Sequence, residues 1–98
     1  MVKHESGIHQ QVVDYMLKED AFSSWLGIHA IEIKEGFSKI KMLVRPEMVN
    51  GFGIAHGGIA FSLADSAFAF ACNNRNNLSV ALDVTITFIK AVHIGDEL

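Results

Sequence analysis

Residues 54–73 read IAHGGIAFSLADSAFAFACN, and the reading of this stretch decides the fold. From Gly58 to about Asn73 it is almost unbroken apolar sequence with one charge, Asp65. Its length approaches the roughly 20 residues of a membrane span. Against a span stand Asp65, the pair Gly57-Gly58 at one end, and alanines as numerous as the large apolar residues. An aspartate in mid-bilayer costs at least about 2.5 kcal/mol. The spacing Gly53-x-x-x-Gly57 is only a weak match to a helix-pairing motif, because it falls mostly in the preceding loop. A helix that is apolar nearly all round is expected instead to be buried inside a protein, wrapped by a sheet. Ser62, Asp65, Ser66, Ala69 and Asn73 follow helical spacing along one side, and that stripe is where a site could open.

Working upstream, Ser6 is placed to N-cap a helix over 8–18 with Val12, Val13, Met16 and Leu17 as its apolar stripe. Asp20 can cap a short turn through Phe22 and Trp25, which Gly27 ends. Ile31 and Ile33 alternate with Glu32 and Lys34, and Glu35-Gly36 makes a tight turn. From Ser38 to Arg45, Ile40, Met42 and Val44 share one face, with Lys39, Lys41 and Arg45 on the other, so the two segments form a hairpin closed by Pro46. Met48 to Gly58 is a Gly-rich loop. Downstream, Asn73 to Asn77 reads as a loop, and Val80, Leu82, Val84, Ile86 and Phe88 alternate as the best strand in the chain. His93 to Asp96 turns, and Glu97-Leu98 begins another strand. Three strands would leave the long helix partly bare, so the pattern predicts that this chain lacks C-terminal strands.

The 98 residues are expected to form one domain, 1–98. Half the residues are apolar and 19% are charged, which favours a packed core over disorder. The net charge of −3 has no concentrated block, and Lys34, Lys39, Lys41 and Arg45 look like solvated strand faces, which argues against a nucleic-acid surface. The single Cys72 cannot form an internal disulfide, and the first residues carry no apolar run, so a cytoplasmic protein is expected. Asn77-Leu78-Ser79 fits a glycosylation sequon and Gly95-Asp96-Glu97-Leu98 resembles a retention signal. Both are decoys without a secretory context.

Asp65 is the only carboxylate between Glu47 and Asp83. Two readings stand: it bonds a hydroxyl or amide and holds packing, or it is catalytic. The N–H groups of Gly57 and Gly58 lie at a helix start, beside the positive end of its dipole, where the oxyanion of a thioester carbonyl could be received. Phosphate could bind there too, but Gly51-x-Gly53 lacks the flanking pattern of a dinucleotide fold. Asp65 lies eight residues beyond Gly57, about 12 Å along a straight helix. The two cannot meet one carbon from the same helix. An antiparallel helix in a symmetric dimer would bring them together, and a monomer would then be inactive.

Met48-Val49-Asn50-Gly51, His56-Gly57-Gly58 and the run Phe61 to Ala69 closely resemble the signature of PaaI-type hotdog thioesterases, the phenylacetate-degradation family. Leu26-Gly27-Ile28, Glu35-Gly36 and Gly95-Asp96 also fall where that family has them. The resemblance implies an α+β hotdog fold, an antiparallel sheet wrapped around a long central helix, in dimers commonly paired into tetramers. It implies hydrolysis of acyl-CoA thioesters, aryl-acetyl or medium-chain, without metal or redox cofactor. Asp65 would be general base or nucleophile, and the Gly57 N–H the oxyanion donor. Asn50 would hold the water or the carbonyl, and His56 would lie next to the thioester. Gly58, Ser66 and Phe61 are the candidate substrate contacts. The family has further strands after the Gly-Asp turn, and these are the strands this chain is expected to lack.

Each assignment has a plainer counterpart. Asn50-Gly51 is an ordinary turn pair, and His56 could simply cap the helix. Ser62 and Ser66 are expected to bond carbonyls of their own helix. Phe61, Phe68 and Phe70 are expected in the core, and Cys72 as an inert buried thiol. Two other functions compete. A hotdog hydratase or dehydratase would need an acid–base pair that His56 and Asp65 could imitate. A non-catalytic acyl-CoA-binding module would be expected to have lost the carboxylate.

Overall fold

The computed structural model describes residues 3–75, 78, 86 and 90–98. Helix α1 spans Lys3–Glu19. It starts before Ser6, so that serine lies within the helix and is not its cap. The apolar stripe faces inward as spaced, with Val13 fully buried and Val12, Met16 and Leu17 half-buried.

Helix α2, Ala21–Leu26, carries both caps foreseen for it. Asp20 Oδ1 accepts from the Ser23 N–H at 3.1 Å. Gly27 turns the chain left-handed at φ +75°, and the N–H groups of Gly27 and Ile28 close onto the carbonyls of Ser24 and Ser23 at 3.1 and 3.5 Å. Arg45 completes this end. Its guanidinium donates to the Leu26 carbonyl at 3.1 Å and to that of Trp25, and lies 4.9 Å from the Trp25 ring centroid. The alternation that put Arg45 on a solvated face is overridden by the carbonyls left over at the end of α2.

Strands β1, His29–Lys34, and β2, Phe37–Lys41, form an antiparallel hairpin whose two-residue turn places Gly36 at φ +69°. The register slips between Ala30 and Glu32, leaving Ile31 as an extra residue. A bulge of this kind shifts the phase of alternation. Ile33 is therefore buried while Ile31 is 49% exposed, and the two isoleucines that alternate in sequence are not equivalent. Beyond β2 the chain stays extended, with Met42 and Val44 both buried. Met42 exchanges both backbone hydrogen bonds with Leu98, at 3.2 and 3.0 Å, and the Val44 N–H donates to Asp96 at 2.9 Å. The strand step expected at Glu97-Leu98 thus exists, entered by a turn with Gly95 at φ +90°. The expected strand from Val80 to Phe88 lies, apart from Ile86, outside the described residues.

Helix α3, Gly57–Asn73, is the long apolar helix. Of the phenylalanines expected in the core only Phe70 enters fully; Phe61 is half-buried and Phe68 is 46% exposed. Cys72 is a free thiol, half-buried. Ala64, Asp65 and Phe68 are exposed along one side of α3. Among the described residues no helix is long and apolar enough to cross a membrane.

The far end of α3 is fixed by Asn74, which is fully buried. Its Nδ2 donates to the carbonyls of Lys34 and Phe37 at 2.7 and 3.2 Å, and its Oδ1 accepts from the Gly36 N–H at 3.1 Å. Its own carbonyl accepts from His9 Nδ1 at 2.7 Å, which joins α1 to the same point. Removing the carboxamide strands several buried backbone groups at about 1–3 kcal/mol each. Asn74→Ala is expected to lower unfolding free energy in urea by about 2–4 kcal/mol. Asn74→Asp, which keeps the acceptor but loses both donors, should cost at least as much. A loss below about 0.5 kcal/mol would show that this staple is dispensable.

Candidate active site

The Gly-rich loop is held in shape by its own backbone and by Asn50. Val49 and Ala55 bridge across it, the Asn50 N–H donates to Ile54 at 2.8 Å, and the Gly53 N–H returns to the Asn50 carbonyl at 3.0 Å with Gly53 at φ +77°. Asn50 Oδ1 accepts from the N–H groups of Phe52 and Ile54, at 2.9 and 3.2 Å. A carbonyl oxygen has two lone pairs, and both are taken. What the side chain has left to offer is its Nδ2 donor. Asn50 is thus the turn residue of the plainer reading and still presents one polar group outward. Just before the loop, the exposed Glu47 carboxyl is held below its ordinary value, first by its own backbone N–H and then by Arg45.

The loop delivers the chain to the start of α3. His56 occupies the N-cap with φ −57° and ψ 138°, is exposed, and makes no side-chain cap bond. Its carbonyl accepts from the Ile59 N–H at 2.9 Å. The N–H groups of Gly57 and Gly58 have no acceptor among the described residues. A cleft of about 580 Å³ opens at this point, lined by Ile54, His56, Gly57, Ala60, Lys90 and Val92 among others. A second of about 390 Å³ is lined by Gly57, Gly58, Phe61, Ser62 and Ile86. Gly57 borders both. The arrangement is an apolar cleft with two backbone donors at a helix N-terminus, suited to a polarised carbonyl oxygen.

Asp65 lies further along α3 and is exposed, with no hydrogen bond or ion pair among the described residues. It is therefore not the buried, packing carboxylate of the plainer reading. Because α3 is one continuous helix, Asp65 stands about 12 Å from Gly57. The structure brings Asn50, His56, Gly57, Gly58 and Phe61 to one end of α3 and leaves Asp65 two turns away.

The polar stripe divides along its length. Ser62 Oγ bonds the Gly58 carbonyl at 2.7 Å, as expected. Ser66 bonds no carbonyl of its own helix among the described residues, contrary to the expectation. It is 7% exposed, its Oγ lies 2.7 Å from Ser23 Oγ, and it lines neither cleft at Gly57. The spacing 62, 65, 66 spreads over enough of the helix circumference that one edge faces out and the other faces α2. Lys90, at the wall of the larger cleft, was not singled out from sequence, because one lysine after a strand carries no spacing signal. Among the described residues no three His, Cys, Asp or Glu side chains cluster as metal ligands would.

Residues 52–98 match a sequence model of the thioesterase superfamily. A putative esterase of Archaeoglobus fulgidus is 43% identical over 94 residues, which are 96% of this chain and 61% of that protein. The acyl-coenzyme A thioesterase PaaI of Escherichia coli is 45% identical over 83 residues, 85% of this chain and 59% of that protein. The solved structure of the E. coli PaaI protein, from the phenylacetic acid degradation operon, superposes with a TM-score of 0.90 at 41% identity, covering 95% of this chain and 67% of that one. The chain belongs to the thioesterase superfamily and has its hotdog fold. Within that superfamily the similarity is to PaaI-type members, as the motif implied. The chain spans about three fifths of the length of the curated relatives it matches.

The two ends of the Asn50 carboxamide are separable by mutation. Asn50→Ala removes the acceptor that orders the loop and is expected to cost about 1–2 kcal/mol in chemical denaturation. Asn50→Asp keeps both backbone bonds while deleting the Nδ2 donor, and should stay within about 0.5 kcal/mol of the parent. Equal losses in both variants would show that loop order does not depend on the Oδ1 bonds.

Proposed function

We propose that this protein hydrolyses acyl-CoA thioesters, of the aryl-acetyl or medium-chain class, to free acid and CoA. The observation that carries the reading is the pair of N–H donors at Gly57 and Gly58, which have no acceptor among the described residues and border an apolar cleft beside His56. A thiolate leaves readily, so the tasks are to stabilise the oxyanion and to supply a nucleophile. The Gly57 N–H receives the thioester oxygen, with Asn50 Nδ2 as a second donor. His56 lies against the acyl-sulfur region, and Gly58 and Phe61 border the acyl group. Asp65 activates water as general base or attacks the carbonyl itself.

Its 12 Å separation from Gly57 means that it acts on the site of a neighbouring subunit. The working unit is accordingly a homodimer, paired into a tetramer in the cytoplasm. The presence of the Asp65 carboxylate favours this reading over a binding module, and the set of Asn50, Gly57 and Asp65 suits hydrolysis better than water addition across a double bond.

The experiment is CoA thiol release from a panel of acyl-CoAs by the full-length protein and two variants. Asp65→Asn is expected to lower turnover about 10²- to 10⁴-fold with oligomer size unchanged. Gly57→Pro removes the one N–H at a position where proline fits a helix, after a residue whose ψ of 138° suits it, and should lower turnover about 10²- to 10³-fold. Co-assembled from equal amounts of the two variants, the shared site predicts recovery to about a quarter of parental activity. Full activity in Asp65→Asn would overturn the mechanism, and no recovery in the mixture would place each site within one subunit.

A further inference from the structure

We propose that Ser66 and Ser38 are positioning residues for Asp65, holding the roll of α3 about its own axis and so the direction of the carboxylate. The inference rests on the catalytic reading of Asp65 given above. Asp65 has no bonded partner of its own among the described residues, so its direction is set by the backbone that carries it. The two residues that follow it are where that backbone is pinned.

On one side Ser66 Oγ lies 2.7 Å from Ser23 Oγ, and Ser23 Oγ donates to Asp20 Oδ2 at 2.6 Å. The hydroxyl proton of Ser23 is committed to the carboxylate, so Ser66 must be the donor to Ser23. The chain of hydroxyls has one direction and ends on a negative charge, which strengthens it. Ser23 is 1% and Ser66 7% exposed, so water does not compete for these bonds. On the other side Ser38 Oγ, from β2, donates to the Ala67 carbonyl at 2.6 Å. One anchor comes from α2 and the other from the sheet. The tip of a helical side chain stands about 5–6 Å from the axis, so a roll of about 10° displaces the carboxylate by about 1 Å. A misplacement of that size can lower a rate by about 10²-fold.

Both kcat and KM are to be measured in the full-length protein for Ser66→Ala, Ser38→Ala, their combination, Ser66→Thr and Asp65→Asn. Ser66→Ala leaves Ser23 bonded to Asp20, so the fold is retained. The expected result is a fall in kcat of about tenfold or more with KM nearly unchanged, a larger fall in the double variant, and recovery in Ser66→Thr, which keeps the hydroxyl. Should Ser66→Ala not fold, Ser38→Ala carries the same prediction. Unchanged kcat in the folded alanine variants, with Asp65→Asn inactive, overturns the positioning role and leaves the thioesterase reading standing. Full activity in Asp65→Asn overturns both.

Discussion

The buried carboxamide of Asn74 is the constraint on which the rest of the described fold hangs. The turn between β1 and β2 leaves one N–H and two carbonyls directed at the buried Asn74 side chain. An unpaired backbone group in that setting is expensive. Asparagine answers all three, because a planar amide offers donors and an acceptor on one short side chain. Placed at the end of α3, it ties the hairpin to the helix, and its own carbonyl brings in α1 through His9. Three elements distant in sequence are thereby registered at one point.

With its end fixed, α3 becomes a rigid ruler. Its start carries the Gly57 and Gly58 N–H groups and its middle carries Asp65, and no adjustment within a straight helix shortens the distance between them. The proposed sharing of the site between subunits follows from that rigidity more than from any property of Asp65 itself. The bare side of α3, with Ala64, Asp65 and Phe68 exposed, is the side on which such a partner would have to lie. The hydroxyl contacts at Ser66 and Ala67 hold the same helix against rotation, so its length and its roll are controlled by different neighbours.

Much of this was legible residue by residue. Asp20 and Gly27 bracket a helix because each has a local reason to do so: a side-chain acceptor at one end, a freely left-handed backbone at the other. Glu35-Gly36 makes its turn, and Gly95 makes its own, for the same kind of reason. The Gly-rich start of α3 also declared itself, since glycines before an apolar run leave N–H groups that nothing local can satisfy. Misjudgements came where a distant group entered. Ile31 loses its place in the alternation to a bulge that depends on its partner strand. Arg45 leaves the solvated face for carbonyls some twenty residues away in sequence. Ser66 finds Ser23, not its own helix.

The sequence by itself therefore determined the local conformations, the long helix, its donor-bearing start, and, through the motif around Asn50, Gly57 and Asp65, the superfamily. These depend on interactions within a few residues, or on a pattern that can be read in one dimension. Tertiary structure alone decided which polar side chains hold the frame and which stay open to solvent. Ser66 and Asp65 are adjacent polar residues in a helix, and their order alone does not say which faces α2. That choice is made by packing α3 against α2 and the hairpin at once, because only there does the cost of burying each polar group become definite.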